Sequence, residues 1–129
     1  MELICPICQL PLFCEGRSLR CGRNHSFDMA RQGYVNLLPV QQKRSLHPGD
    51  TREQVLARRA FLDKDYYAPL RDALCGLAAE LTGSAPVLLD AGCGEGYYTA
   101  GIHHALLTAG KTPRTAGIDI SKFSVQKAA

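Results

Sequence analysis

Apolar residues change their spacing several times along this chain, and each change predicts a different kind of structure. Up to about Leu38 they are scattered among Cys, Arg and Gly without clear periodicity, so this stretch predicts neither an amphipathic helix nor an alternating strand. A polar loop follows from Gln41 to Asp50, and its His47-Pro48-Gly49-Asp50 reads as a turn. Asp50 and Glu53 have capping-box spacing for a helix through about Leu62. A second helix is predicted from near Pro69, where Leu70, Leu74, Leu77, Ala78 and Leu81 recur at steps of three and four and Gly83 acts as a stop. That apolar face must pack on something. Val87-Leu88-Leu89-Asp90-Ala91, bounded by Pro86 and Gly92, is too short for a helix and predicts a buried parallel strand. The pattern turns helical from Tyr97 to Leu107, breaks over Gly110 to Pro113, and becomes a strand over Thr115 to Ile120 that ends in Asp119. Ser121 is placed to cap one more helix. Together these elements make one βαβ unit, and the fold class is α/β.

Composition narrows the picture. The chain has 129 residues, 46% hydrophobic and 21% charged, the profile of a globular protein with a core. It has no run near the roughly 18 apolar residues of a membrane span. Met1-Glu2-Leu3-Ile4-Cys5 lacks the basic and then apolar pattern of a signal peptide. A cytoplasmic protein with no membrane partner is expected, and a homodimer is compatible with the sequence. The net charge of +3 is uneven: residues 1–60 carry nine Lys/Arg against five Asp/Glu, and residues 61–129 carry six against seven. A basic leading part suits a polyanion such as RNA, although an ordinary solvated surface also carries an excess of this size.

Four of the six cysteines fall within the first 21 residues. Cys5-Pro6-Ile7-Cys8 sets two thiols across a tight turn, and Cys21-Gly22-Arg23-Asn24-His25 supplies a second pair after twelve residues. This spacing predicts zinc rather than disulfides. Three thiolates and one imidazole close a tetrahedral shell with no position for water, which marks a structural site, not a catalytic one. Cys14 lies between the pairs and is an alternative fourth ligand in place of His25. A segment this short cannot bury a core of its own, so the metal substitutes for one. The expected organisation is a small zinc-ribbon-like module over 1–38, a loop and helical connector over 39–84, and a Rossmann-like start over 85–129.

Asp90-Ala91-Gly92-Cys93-Gly94-Glu95-Gly96-Tyr97 stands between a predicted strand and helix, where glycines admit a ligand to the backbone and the helix offers free N–H groups. A dinucleotide fingerprint of GxGxxG spacing would need its third glycine at the position of Tyr97. A nicotinamide-dependent oxidoreductase is therefore the weaker reading. Asp90 ahead of GxGxG, with Asp119 closing the next strand, resembles the first two binding motifs of class I S-adenosylmethionine-dependent methyltransferases. A carboxylate at Asp119 can accept both ribose hydroxyls of such a ligand, or it can simply cap the helix that begins at Ser121. Asp90 sits in an otherwise apolar strand, which is costly unless it is paired. A small thiol at Cys93 can merely pack in that loop, and Glu95 can simply be exposed.

The ordered set of the zinc segment, HSFDMARQGYVNLLP from His25, the KRS-x-x-PGD loop, ARRAFLD from Ala57 and VLLDAGCGEGYYT resembles the 23S rRNA (guanine-N1)-methyltransferases of the RlmA type. The resemblance spans essentially the whole chain. It implies zinc at Cys5, Cys8, Cys21 and His25, in a module that helps to recognise a 23S rRNA hairpin. It also implies S-adenosyl-L-methionine contacts at Tyr67, Gly94 and Glu95, which join Asp90, Gly92, Gly96 and Asp119 from the class I methyltransferase motifs as the expected cofactor site. No residue is indicated as the base that accepts the guanine N1 proton. Arg17, Arg20, Arg23 and Arg31 are candidates for phosphate contacts, with ordinary surface charge as the alternative. Members of that family continue well past the second strand, whereas this sequence ends at Ala129. The expectation is therefore a truncated domain, poorly folded beyond residue 85 or dependent on a partner. A zinc-dependent RNA-binding module without catalysis is the competing reading.

Overall fold

The computed structural model describes residues 2–46 and 48–129. Of the predicted turn, Pro48-Gly49-Asp50 is therefore placed, while His47 lies outside the described residues. The chain divides into two compact units, one up to Pro48 and one over Gly49–Ala128.

The first unit is an antiparallel meander of β1 (Leu12–Glu15), β2 (Ser18–Cys21) and β3 (Ser26–Asp28). Its strands are three or four residues long, too short for an alternation to register in sequence. Gly16, with a φ of 61°, turns β1 into β2, and a bridge between Ile4 and Pro11 ties the first knuckle to the sheet. Cys5 and Cys21 are the buried side chains among the described residues of this unit. A 3-10 turn at Val40–Gln42 follows.

The second unit holds α1 (Arg52–Leu62), α2 (Ala68–Leu81), β4 (Val87–Ala91), α3 (Tyr97–Thr108), β5 (Arg114–Ile118) and α4 (Lys122–Ala128). β4 and β5 pair in parallel, with Val87 opposite Arg114 and Ala91 opposite Ile118. They form one βαβ unit, as the pattern predicts. α3 ends in a Schellman motif: Gly110, at φ 74°, donates to Leu107 O, and Lys111 donates to Leu106 O.

Three expectations shift. α1 is capped by Thr51, not Asp50: the Thr51 hydroxyl accepts from Gln54 N at 3.3 Å, and the Gln54 side chain accepts from Thr51 N at 2.8 Å. Asp50 instead faces Arg58 at 3.7 Å, and its carbonyl accepts from Ser121 Oγ at 2.8 Å. The stop of α2 is Thr82, in extended conformation, whose hydroxyl donates back to Ala78 O at 2.6 Å; Gly83 is not a left-handed cap. The leucine face of α2 is also the outer one. Leu70, Leu74, Leu77 and Leu81 stay between 36% and 77% exposed, while the side that carries Arg71, Cys75 and Ala78 turns inward.

The reason for that orientation is local. Gly101 of α3 approaches α2 so closely that a Cβ there would lie 2.9 Å from Arg71 Cδ. The Arg71 guanidinium lies over the Tyr97 ring, 5.2 Å from its centroid, and donates to Tyr97 Oη at 3.1 Å. Val87, Leu89, Ile118 and Ile120 are each at least half exposed, as a two-stranded sheet without further neighbours would leave them. Among the described residues, no helix is long and apolar enough to cross a membrane.

Candidate metal centre and glycine loop

Two knuckles bring the cysteines and the histidine together. In the first, Gln9 takes a φ of 61° and donates to Cys5 O, while Cys5 N donates to Leu10 O. In the second, Asn24 takes a φ of 62° and donates to Cys21 O, while Cys21 N donates to His25 O. The ligand atoms of Cys5, Cys8, Cys21 and His25 all lie within 4.8 Å of one another. Cys8 Sγ is 3.6 Å from Cys21 Sγ, and His25 Nδ1 is 3.5 Å from Cys5 Sγ and 3.4 Å from Cys21 Sγ. A tetrahedron with metal–sulfur bonds of about 2.3 Å and metal–nitrogen bonds of about 2.0–2.1 Å has S···S edges near 3.75 Å and S···N edges near 3.5 Å. These three edges match a zinc tetrahedron, and the remaining ones are no longer than 4.8 Å. Burial pushes the Cys21 thiol up, but Arg23 and His25 backbone groups, together with the Cys8 and His25 side chains, outweigh it and bring it down to about 6. Cys14 is exposed and directed to Gly16 O at 3.8 Å, outside the cluster.

The glycine loop closes over the end of the parallel pair. Gly92, Gly94 and Gly96 have φ of 87°, 57° and 89°, the left-handed region that side chains strain to adopt. A Cβ at Gly92 or Gly94 would meet nothing within 4 Å, so both Cα atoms face open space; at Gly96 it would meet Ala128 at 3.1 Å. Asp119 ties the loop to β5: one carboxylate oxygen accepts from Gly94 N at 3.0 Å and the other from Ser121 N at 2.7 Å. Ser121 in turn caps α4, its hydroxyl accepting from Ser124 N at 3.3 Å. Asp90 accepts from the Thr99 hydroxyl on the first turn of α3, so this strand carboxylate is paired. Cys93 is buried beneath the loop, where a Cβ on Gly117 would lie 2.8 Å from its sulfur. Burial first, and then the Asp119 and Asp90 carboxylates, push its thiol up.

Glu95 Oε2 is buried with no hydrogen-bond partner among the described residues, a state that costs free energy unless a donor arrives. Glu95 and Gly96 reach an open cavity of about 680 Å³, lined also by Arg71, Asp72, Cys75 and Gly101. Gly92, Gly94 and Asp119 do not line it. Tyr67 stands at the N-cap of α2, 45% exposed and edge-on to Phe61 at 5.6 Å.

Residues 3–46 match the family model described as RlmA, N-terminal, whose label names a zinc ribbon. This segment is an RlmA-type zinc ribbon. Beyond it, the chain is similar over 98% of its length, at 41% identity, to a protein of Streptomyces fradiae named 23S rRNA (guanine(748)-N(1))-methyltransferase. Relatives from Micromonospora griseorubida and Bacillus subtilis (strain 168) are 38% and 35% identical over 99% and 96% of this chain. Both are provisionally named 23S rRNA (guanine-N(1)-)-methyltransferases. The chain spans 44% to 47% of the length of these relatives. The RlmA-type resemblance read from the motifs therefore holds.

The RlmA-type ribbon carries all four candidate phosphate-binding arginines. Arg17 donates to Ala30 O at 3.1 Å, and Arg20 pairs with Glu15 at 3.3 Å. Among the described residues, Arg23 and Arg31 make no ion pair and no side-chain hydrogen bond, and both are exposed. Sequence reasoning missed the cluster in which Arg71 donates to Asp65 at 3.2 Å and to Asp72 at 2.9 Å while Tyr97 donates to Asp65 at 3.2 Å. Asp65 takes a φ of 57°, and no sequence motif marks these residues as partners.

Proposed function

We propose that the chain carries the RNA-recognition module and the cofactor-binding start of an enzyme that methylates guanine N1 in a 23S rRNA hairpin. The similarity at 41% identity to a protein with that name, over 98% of this chain, carries the reading. Residues 1–38 supply the module and residues 85–129 the beginning of the methyltransferase domain. Zinc is held by Cys5, Cys8, Cys21 and His25 in a closed shell, so its role is structural. The protein is read as cytoplasmic, and a homodimer is its proposed assembly.

S-Adenosyl-L-methionine would be held by Tyr67, Asp90, Gly92, Gly94, Glu95, Gly96 and Asp119. Two observations support the fit: open space above the Gly92 and Gly94 Cα atoms, and the partnerless Glu95 Oε2. Each Asp119 oxygen uses one acceptor position on a backbone N–H, and a carboxylate has about four. Acceptor capacity for ribose hydroxyls therefore remains. Asp90 also fixes the start of α3, accepting from the Thr99 hydroxyl. When bound, the cofactor supplies a methyl group on a sulfonium, open to attack by a ring nitrogen. The protein's part is to hold donor and acceptor in line.

The test is a thermal melt of the zinc-loaded chain with S-adenosylhomocysteine or NADH. At a hundredfold excess over Kd a ligand adds about 2.7 kcal/mol, a rise on the order of 10 °C. S-Adenosylhomocysteine should raise the Tm and NADH should not. Gly94→Ala should fold and lose the response, because its methyl group enters the open space. No shift with S-adenosylhomocysteine removes the cofactor reading and leaves a zinc-dependent RNA-binding module without catalysis.

A further inference from the structure

One face of the ribbon sheet has no role in holding the metal. Phe13 lies directly across from Arg20, and Arg20 across from Ser26. The Ile4–Pro11 bridge extends the same face, because paired residues, and residues two apart on a strand, point to one side. Phe13 is 66% exposed and Ile4 58%. The Arg20 side chain is 51% exposed and held 3.3 Å from Glu15. Leu12, Leu19 and Phe27, on the other side, are half-buried. The outer face thus sets an aromatic ring and an isoleucine among the polar Glu15, Ser18, Arg20, Ser26 and Asp28, where a half-buried antiparallel sheet ordinarily turns polar residues alone.

We propose that this face, centred on Phe13 with Arg20 beside it, is a stacking platform for an unpaired nucleobase of the RNA partner. The inference rests on the RNA reading above. Charge complementarity supports it at the level of the module: up to Pro48 the chain carries six Lys/Arg against three Asp/Glu, so the module attracts a polyanion, while on the face itself Glu15 pairs with Arg20 and Asp28 accepts from the Ser18 hydroxyl. Aromatic faces and guanidinium planes both stack on bases, and every base has a π-face, so the platform selects unpaired nucleotides rather than a sequence. Bases inside a duplex are already stacked and cannot reach it.

The experiment measures binding of the zinc-loaded full chain, by fluorescence anisotropy at fixed salt, to a hairpin RNA with an unpaired loop and to a duplex of the same stem. Phe13→Ala should weaken hairpin binding about 5- to 150-fold and leave duplex binding unchanged, while Phe13→Tyr should retain hairpin affinity. Zinc content of one per chain in each variant checks that the ribbon is folded. Equal hairpin affinity in Phe13→Ala and the unaltered chain overturns the platform, points to a protein contact at this face, and leaves the RNA reading standing. Equal weakening on hairpin and duplex overturns the platform as well. No binding of the unaltered chain to either RNA removes both readings.

Discussion

Removing zinc should unfold the first unit and leave the second standing. The described side chains shielded from water in the first unit are Cys5, fully buried, and Cys21, 5% exposed. Both belong to the donor cluster, so no apolar core remains once the metal leaves. Structural zinc contributes about 10–16 kcal/mol in finger peptides at neutral pH, as much as the whole stability of a typical domain, about 5–15 kcal/mol. Hydrogen exchange reads the outcome residue by residue. The amides of Cys5, Leu12, Cys21 and Met29 donate to Leu10, Leu3, His25 and Arg17 in the folded ribbon. A loss of about 4 kcal/mol would already speed their exchange roughly a thousandfold, whereas Val55 and Ala100, bonded to Thr51 and Gly96 in the second unit, should keep their protection. Cys8→Ala and His25→Ala should lower zinc content, and Cys14→Ala should leave one zinc per chain. Protection of Cys5 and Cys21 that survives complete loss of zinc would refute the reasoning, as would loss of the metal in Cys14→Ala.

Thr51→Ala removes the side-chain acceptor of the α1 cap and should cost about 1 kcal/mol in chemical denaturation; Thr51→Ser should cost little, and Asp50→Ala should not reproduce the cap effect. Gly117→Ala drives a methyl group into the Cys93 sulfur and should destabilise by about 1–3 kcal/mol, with Cys93→Ala relieving part of the loss in a double-mutant cycle; strictly additive effects would contradict the contact. Because burial and the nearby carboxylates raise the Cys93 thiol, iodoacetamide at neutral pH should modify exposed Cys14 well before Cys93. Peptide mass spectrometry with equal rates at the two sites would show the loop to be open.

The βαβ unit was legible in sequence because two signals coincide there: apolar runs of strand length, and glycines at their ends. β4 matches its expected span, α3 runs one residue longer than expected, and β5 starts one residue earlier and ends at Ile118, just before Asp119. The four donors of the metal cluster were likewise readable, because ligand spacing follows from turn geometry. What could not be read depends on contacts between distant residues. Asp50 with Glu53 and Thr51 with Gln54 both have capping-box spacing, and the choice falls to Thr51 while Ser121 and Arg58 engage Asp50. Periodicity set the phase of the α2 leucines but not their direction. Arg71, Tyr97 and the close approach at Gly101 turn the helix the other way. The ribbon strands left no pattern because three or four residues cannot establish an alternation.

The hydrogen bond from Ser121 to the Asp50 carbonyl spans 71 residues. Gly49, at φ 80°, lies so close to the same turn that a Cβ would sit 2.8 Å from Ser121 N. The entry to α1 is thus moulded against a surface that exists only after β5 has paired with β4. Closing so large a loop carries an entropic cost before its contacts return anything. The order of assembly is therefore expected to run against the order of the chain: the parallel pair and its crossover helix form first, and the earlier helix docks last, even though it leaves a ribosome sooner.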